Sequence, residues 1–271
     1  MILLLPAVAF FALFVAWPLV VVFSLSLQQT NFITSSFVGL KNYIDSLKDE
    51  SFRQAIANSV LYMAYMVPGH VLTSLLASLA VFRLPKRWHD SSRILFYLPV
   101  LSGGIIIAQV WRWVFHMDGP VNWFLTSLGG QAVNWFGQGS TAIPVICFIV
   151  VVSSFGANVI IMLSAMQSID VAIFDAAKID GATWKQTKWR IIVPIILPTI
   201  GLVTLLSAIA SLQVVETIMM LAPQDFAATI TYSIYRSGFL FSRYGMASAQ
   251  AVILLLITVG ISLIKRRLEH E

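Results

Sequence analysis

Charge is what this sequence has least of. Only 11% of its 271 residues are Asp, Glu, Lys or Arg, against 58% hydrophobic, where an ordinary soluble domain carries about 25% charged residues. That shortage excludes a water-soluble globule, because one core of this size cannot hide so much apolar side chain and the excess needs lipid as its solvent. Cysteine is nearly absent too: the single Cys147 excludes an intramolecular disulfide and a cysteine-built zinc site, and reads as a small packing residue. His70, His89, His116 and His270 stand too far apart for metal-ligand spacing. No Gly-x4-Gly-Lys-Ser/Thr phosphate loop occurs and no serine has the context of a nucleophile, so no ATP hydrolysis, metal site or bound cofactor is expected of this chain.

What is present is a set of six apolar runs, at 2–27, 56–82, 94–115, 142–166, 195–221 and 245–264. Each is long enough to cross the hydrocarbon as a helix, which takes about 20 residues. None shows the two-residue alternation of a barrel strand, so the expectation is all-α: one transmembrane domain, 1–271, built as a six-helix bundle. The first run has no basic region ahead of it and exceeds a signal-peptide core, so it reads as a retained span, and the short tail before it leaves room for a leader upstream. Trp17 and Pro18 within it are expected to pack against neighbouring helices.

The net charge of +5 is explained by position rather than by nucleic acid. With the N-terminus cytoplasmic, the inner side receives Arg83, Lys86, Arg87, Arg93, Lys178, Lys185, Lys188, Arg190, Lys265, Arg266 and Arg267. Lys41, Lys48, Arg53, Arg112, Arg236 and Arg243 fall near the outer connections, offset by Asp45, Asp49, Glu50, Asp118 and Asp225. The expected topology is multi-pass in a bacterial inner membrane, with both termini cytoplasmic.

The connection 168–194 carries the densest signal. Asp170 is placed to cap a short helix, Gly181 to end it, and Thr183 with Gln186 to open a second helix through a capping box, which Pro194 and Pro198 bend into the membrane. Ile173, Phe174, Ile179 and Trp184 give this helix–Gly–helix elbow more apolar surface than a simple connection needs, which suits either a soluble partner or shallow membrane association.

Asp175-Ala-Ala-Lys-Ile-Asp-Gly181, nine residues, then Ile191-Ile-Val-Pro194 resembles the signature loop of binding-protein-dependent importer permeases, with Asp175 in place of the usual Glu and Val193 in place of Leu. Further segments resemble the sugar and glycerol-phosphate branch of that family: Phe37-Val-Gly-Leu-Lys-Asn-Tyr43, Arg93-Ile-Leu-Phe-Tyr-Leu-Pro99, Trp111-Arg-Trp-Val-Phe115 followed by Gly119 and Asn122, and Gly245-Met-Ala-Ser-Ala249. One departure is Leu221-Ala-Pro223, where the branch carries a Gly-Gly-Pro turn.

The resemblance implies a pore-forming subunit paired with a second, related permease, two cytoplasmic ATPase subunits that hold ATP and Mg, and an extracytoplasmic solute-binding protein. Asp175, Ala176, Ala177, Asp180, Gly181 and Ala182 would then contact the ATPase, Asp175 offering its carboxylate to a basic group there, although Asp175 and Asp180 also suit plain solvation of a helix face.

For a solute path, Ser153, Ser154 and Asn158 mark the fourth run, and Thr204, Ser207 and Ser211 share one face of the fifth. Such groups fit a neutral polyhydroxylated ligand and equally serve as packing glue between helices. Glu216, an acid within an apolar run, lines an outer vestibule or holds a helix end. Trp111, Trp113, Trp123 and Trp135 form an interfacial belt or a stacking platform for a sugar. The function expected is import of a sugar or oligosaccharide; the alternatives are a permease for a polyol phosphate, peptide or amino acid, and a membrane scaffold or enzyme.

Overall fold

The computed structural model describes residues 4–30, 34–85 and 88–268, and the expectations placed on residues 2–3, Lys86, Arg87 and His270 lie outside them. In chain order the elements are α1 (Leu5–Ser26), an antiparallel ribbon of β1 (Gln28–Thr30) and β2 (Ser35–Phe37), α2 (Lys41–Lys48), α3 (Glu50–Phe82), α4 (His89–Leu101), α5 (Gly104–Val114), α6 (Pro120–Ser127) and α7 (Gly139–Gln167). Then follow α8 (Val171–Ile179), α9 (Trp184–Ile195), α10 (Leu197–Leu212), α11 (Glu216–Leu221), α12 (Ile230–Tyr235) and α13 (Tyr244–Leu268).

Among the described residues, four unbroken helices are long and apolar enough to cross a membrane: α1, α3, α7 and α13. The remaining two spans are broken. Helices α4 and α5 meet at 87°, and α9 and α10 at 66°. Proline and glycine cause both breaks. Pro99 cannot extend the hydrogen-bond ladder, and Gly103, at φ +74°, takes a left-handed conformation that a side chain would oppose. Pro194 and Pro198 likewise flank the turn at Ile196.

Besides the third run, broken at Ser102–Gly103, two more depart from their expected form. The fifth apolar run is not one helix to residue 221, because α10 stops at Leu212 and a short non-helical stretch precedes α11. Backbone groups freed inside a membrane must find partners. They do: Thr231 Oγ1 donates to Leu212 O and Thr229 Oγ1 to Val214 O, both at 2.7 Å. Trp17 does not pack into the bundle either, being 62% exposed. Pro18 is accommodated by a π-turn at Ala12–Ala16 instead.

Helix α3 is the central post, packed against α7 and α10. Two apolar clusters flank its middle. Leu75, Leu79, Met162, Met166, Ile192 and Val203 form one beside the elbow, and Tyr62, Met66, Ile146, Ile149, Ile218 and Tyr232 form the other toward the opposite end. In lipid such clusters are held by close packing rather than by exclusion of water.

Candidate functional site

The elbow forms as the local chemistry dictates. Asp170 Oδ1 accepts from Ala172 N at 2.9 Å and starts α8. At its end, Gly181 N donates to Lys178 O at 3.0 Å and Ala182 N to Ala177 O at 2.9 Å, the pairing of a Schellman turn, with Gly181 at φ +71°. The Thr183–Gln186 capping box then opens α9: Gln186 N donates to Thr183 Oγ1 at 3.4 Å, and Thr183 N to Gln186 Oε1 at 2.7 Å.

The elbow has an anchored side and a bare side. Phe174 packs at a tilt against Phe82 at the end of α3, with ring centroids 5.8 Å apart, and Ala177 is buried beneath the helix, so Ala177 supports the elbow from within instead of offering contact surface. Ala182 is half-buried. Asp175, Ala176, Asp180 and Gly181 are exposed, as are Trp184 and Ile179, the latter by 86%. The Asp175 carboxylate holds an exposed ion pair with Lys178 at 3.2 Å. Within the chain the bare face is therefore apolar at its tip and carries a carboxylate whose intrachain contact is weak.

A second polar zone lies half-way along the bundle. Ser153 is the midpoint of α7, and around this level stand the break between α4 and α5 and the middle of α3. His70 Nε2 and Ser154 Oγ are 2.8 Å apart across the α3–α7 contact. Ser154 Oγ also donates to Val150 O, which assigns the imidazole proton to Nε2 and leaves the buried Nδ1 without a partner. A cleft of about 300 Å³ opens at the break, lined by Pro99, Ser102, Ile106, Val110, Trp111 and Ser153 among others. It combines hydroxyls with one indole.

The other expected path residues separate. Ser207 and Ser211 are buried in the packing of α10, whereas Thr204 is exposed, so the face they share in sequence is split in the fold. Asn158 is half-buried on α7. Glu216 opens α11, is exposed, and lies over Gly104 at the first turn of α5. Of the four tryptophans only Trp111 fronts the cleft. Trp113 and Trp123 are exposed, and Trp135 instead packs edge-on to Phe115.

Several residues that organise these sites escaped the sequence reading. Along α3, Ser51, Asn58, Ser59, Tyr62 and His70 recur on one helical face, a periodicity that could have revealed them. Asn58 Nδ2 donates to Asp225 O at 3.1 Å and Ala228 O at 3.0 Å, Tyr62 OH donates to Ala227 O at 3.1 Å, and Ser59 Oγ accepts from Ile230 N at 3.0 Å. Together they hold the segment between α11 and α12 against α3. Asp225 there pairs with Arg236 and accepts from Ser51 Oγ. Burial raises its carboxyl pKa, but the hydrogen bonds from Arg236 and Ser51 and the Arg236 charge outweigh that and hold it below the ordinary value.

The segments outside the elbow that carry the family resemblance act structurally. Asn42, nearly buried, donates to Ser26 O at 2.8 Å and Gln28 O at 2.9 Å, tying α2 to the end of α1. Asn122, 1% exposed, donates to His116 O and Val133 O and accepts from Val133 N and Trp135 Nε1, closing the whole 116–135 connection around one side chain.

Known proteins match this arrangement over its full length. The chain is 29% identical to the probable ABC transporter permease protein YurN of Bacillus subtilis, with 97% of this chain and 93% of that protein covered. It is 28% identical to the lactose transport system permease protein LacF of Rhizobium radiobacter, covering 94% and 88%. A chain from the crystal structure of a bacterial ABC transporter involved in the import of the acidic polysaccharide alginate superposes with a TM-score of 0.82 at 26% identity, over 98% of this chain and 94% of that one. The elbow, the broken spans and a family match over residues 32–270 agree, and the chain belongs to the binding-protein-dependent transport system inner membrane component family.

Proposed function

We propose that this chain is one of two pore-forming permease subunits of an ATP-driven importer for a sugar or oligosaccharide, with the elbow as its coupling element. The observation that carries the reading is the bare face of the elbow, where Asp175 and Ile179 of α8 and Trp184 of α9 stand clear while the other side of α8 buries Ala177 and is fixed to α3 through Phe174. A push on that face moves the bundle as a rigid body rather than bending a loop. The face fits a groove on a cytoplasmic ATPase, which would bind ATP and Mg, and a basic group there replaces Lys178 as the partner of Asp175. On this reading the elbow end, with both termini, is cytoplasmic, and a second permease completes the pore.

The solute would pass the mid-span zone, where Ser102, Ser153 and the indole of Trp111 border the cleft. Hydroxyls with one flat aromatic face suit a polyhydroxylated ring better than a peptide or an amino-acid zwitterion. An extracytoplasmic binding protein would deliver the solute at the end opposite the elbow. The similarity to a lactose permease and to an alginate importer supports the choice of solute class.

The test is ATPase activity of the complex that co-purifies with the chain in lipid, measured with a panel of ligand-loaded binding proteins. Stimulation by one saccharide-loaded protein is expected. Stimulation only by a loaded peptide, amino-acid or polyol-phosphate binder would move the solute class, and absence of any co-purifying ATPase would overturn the coupling reading.

A further inference from the structure

Glu216 has an unusual neighbour. Its carboxylate lies over Gly104, the first residue of α5, so closely that a Cβ at position 104 would fall onto Oε2. Helix α5 begins directly after the break in the third span, and its cap residue Gly103 supplies no side-chain acceptor. The first-turn N–H groups of a helix carry partial positive charge and need acceptors, a need sharper in a membrane than in water. The carboxylate stands at that end.

Helices α5 and α11 also pack along their length, with Ala108 and Ile218 buried in one cluster. Glu216 is exposed in the single chain, and a carboxylate within a membrane span faces a cavity or a protein partner rather than lipid.

We infer that Glu216 is a positioning residue that clasps the half-span α5 to the half-helix α11, so that the two broken pieces on the far side from the elbow move as one gate. Apart from that apolar packing, the clasp links two pieces that each follow a break in their span: α5 after Ser102–Gly103, and α11 after the non-helical stretch Gln213–Val215. With it, a displacement that reaches α10 from the elbow is carried into the third span and therefore into the wall of the cleft.

The contact makes an unusual mutational cycle decisive. Gly104→Ala places a methyl group where the carboxylate sits and breaks the clasp from the other side. Once Glu216→Ala has removed the carboxylate, the nearest remaining atom of residue 216 is its Cβ, 3.5 Å from the new methyl carbon, an ordinary contact. Each single variant is therefore expected to lower ATP-driven uptake about tenfold, and the double variant no further, as for two changes to one interaction. Multiplying losses would overturn the inference.

A distance measurement decides it independently of any solute. In a Cys147→Ala background, spin labels at Val110 on α5 and Gln213 before α11, in the full chain purified in lipid with its partners, are expected to give one narrow distribution. That distribution broadens in Glu216→Ala and in Gly104→Ala, and stays narrow in Glu216→Gln, which keeps the shape and the oxygen that faces Gly104. An unchanged distribution in Glu216→Ala would sink the clasp. A Glu216→Gln variant with a shifted half-saturating solute concentration and an unaltered distance would assign the acid to the solute, which also overturns it. The inference uses the transport reading only for the uptake assay, so failure to find any transported solute refutes that reading while the spin-label result still judges the clasp.

Discussion

The elbow and the broken far-side segments solve opposite problems. The elbow is built from contacts within a few residues: Asp170 on Ala172, Gly181 on Lys178, Thr183 on Gln186. The segment between α11 and α12 is held by partners more than 150 residues away, from Asn58, Ser59 and Tyr62 on α3. Locally specified structure keeps its shape while its surroundings move, which suits an element that transmits force. Structure specified at long range moves or melts with its support, which suits a gate.

The sharpest test of that contrast is removal of the far-side hubs. Asn122→Ala deletes four part-buried hydrogen bonds and is expected to cost roughly 3 kcal/mol, read as a lower melting temperature in detergent and early proteolysis of the 116–135 connection. Asn58→Leu takes the side-chain donor from Ala228 O and one of two donors from Asp225 O, and is expected to cost roughly 2 kcal/mol, with faster hydrogen exchange at 225–230 and an unchanged elbow. If Asn58→Leu loosened the elbow equally, the two regions would be one cooperative unit and the contrast would fail.

The elbow is expected to answer differently. Nothing lies within 4 Å of a Cβ placed at Gly181, so Gly181→Val acts through the backbone alone. It should cost about 1–2 kcal/mol locally while Gly181→Asn costs less, because asparagine tolerates the left-handed region. The check is coupling: Gly181→Val should leave melting of the bundle nearly unchanged and abolish stimulation of the co-purified ATPase.

Much of this difference decides what could be read from the chain. The caps of α8 and α9, the turn at Gly181 and the proline bend at Ile196 depend on residues that stand side by side in sequence, and all four are found as their chemistry requires. The third span's break was hidden inside an apolar run, since Ser102-Gly-Gly104 interrupts neither hydropathy nor length. The fifth run was misjudged for a related reason. Its end at Leu212 is set by Thr229 and Thr231, which reach it only after the chain has folded back. Long-range acceptors leave no local mark, and so Ser207 and Ser211 could not be told apart from Thr204 by helical spacing.

Acidity separates the regions more gently. The Asp225 pKa is depressed in the fold, so its pairing with Arg236 stabilises the far side above the unfolded value, about 3.9, and is lost as pH falls through the folded value. Hydrogen exchange at 222–236 should therefore rise below about pH 4 while the caps of α9, which carry no titrating group, stay protected. Equal exchange in both regions would refute this. The smallest expected effect is Asp175→Asn, which removes an exposed pair worth about 0.5 kcal/mol or less and leaves melting unaltered while weakening retention of the ATPase.

Helix α1 leaves almost every side chain uncovered by the rest of the chain. A segment with so little of its surface covered by the rest of the chain can partition into a bilayer as soon as it leaves the ribosome, before any bundle exists to receive it. The fifth run has no such independence: its interrupted ladder depends on Thr229 and Thr231 from later in the chain, so it consolidates only once α12 has folded back onto it. The order of synthesis and the order of consolidation in the membrane therefore diverge, with the fifth run entering as an unfinished piece that the following segment completes.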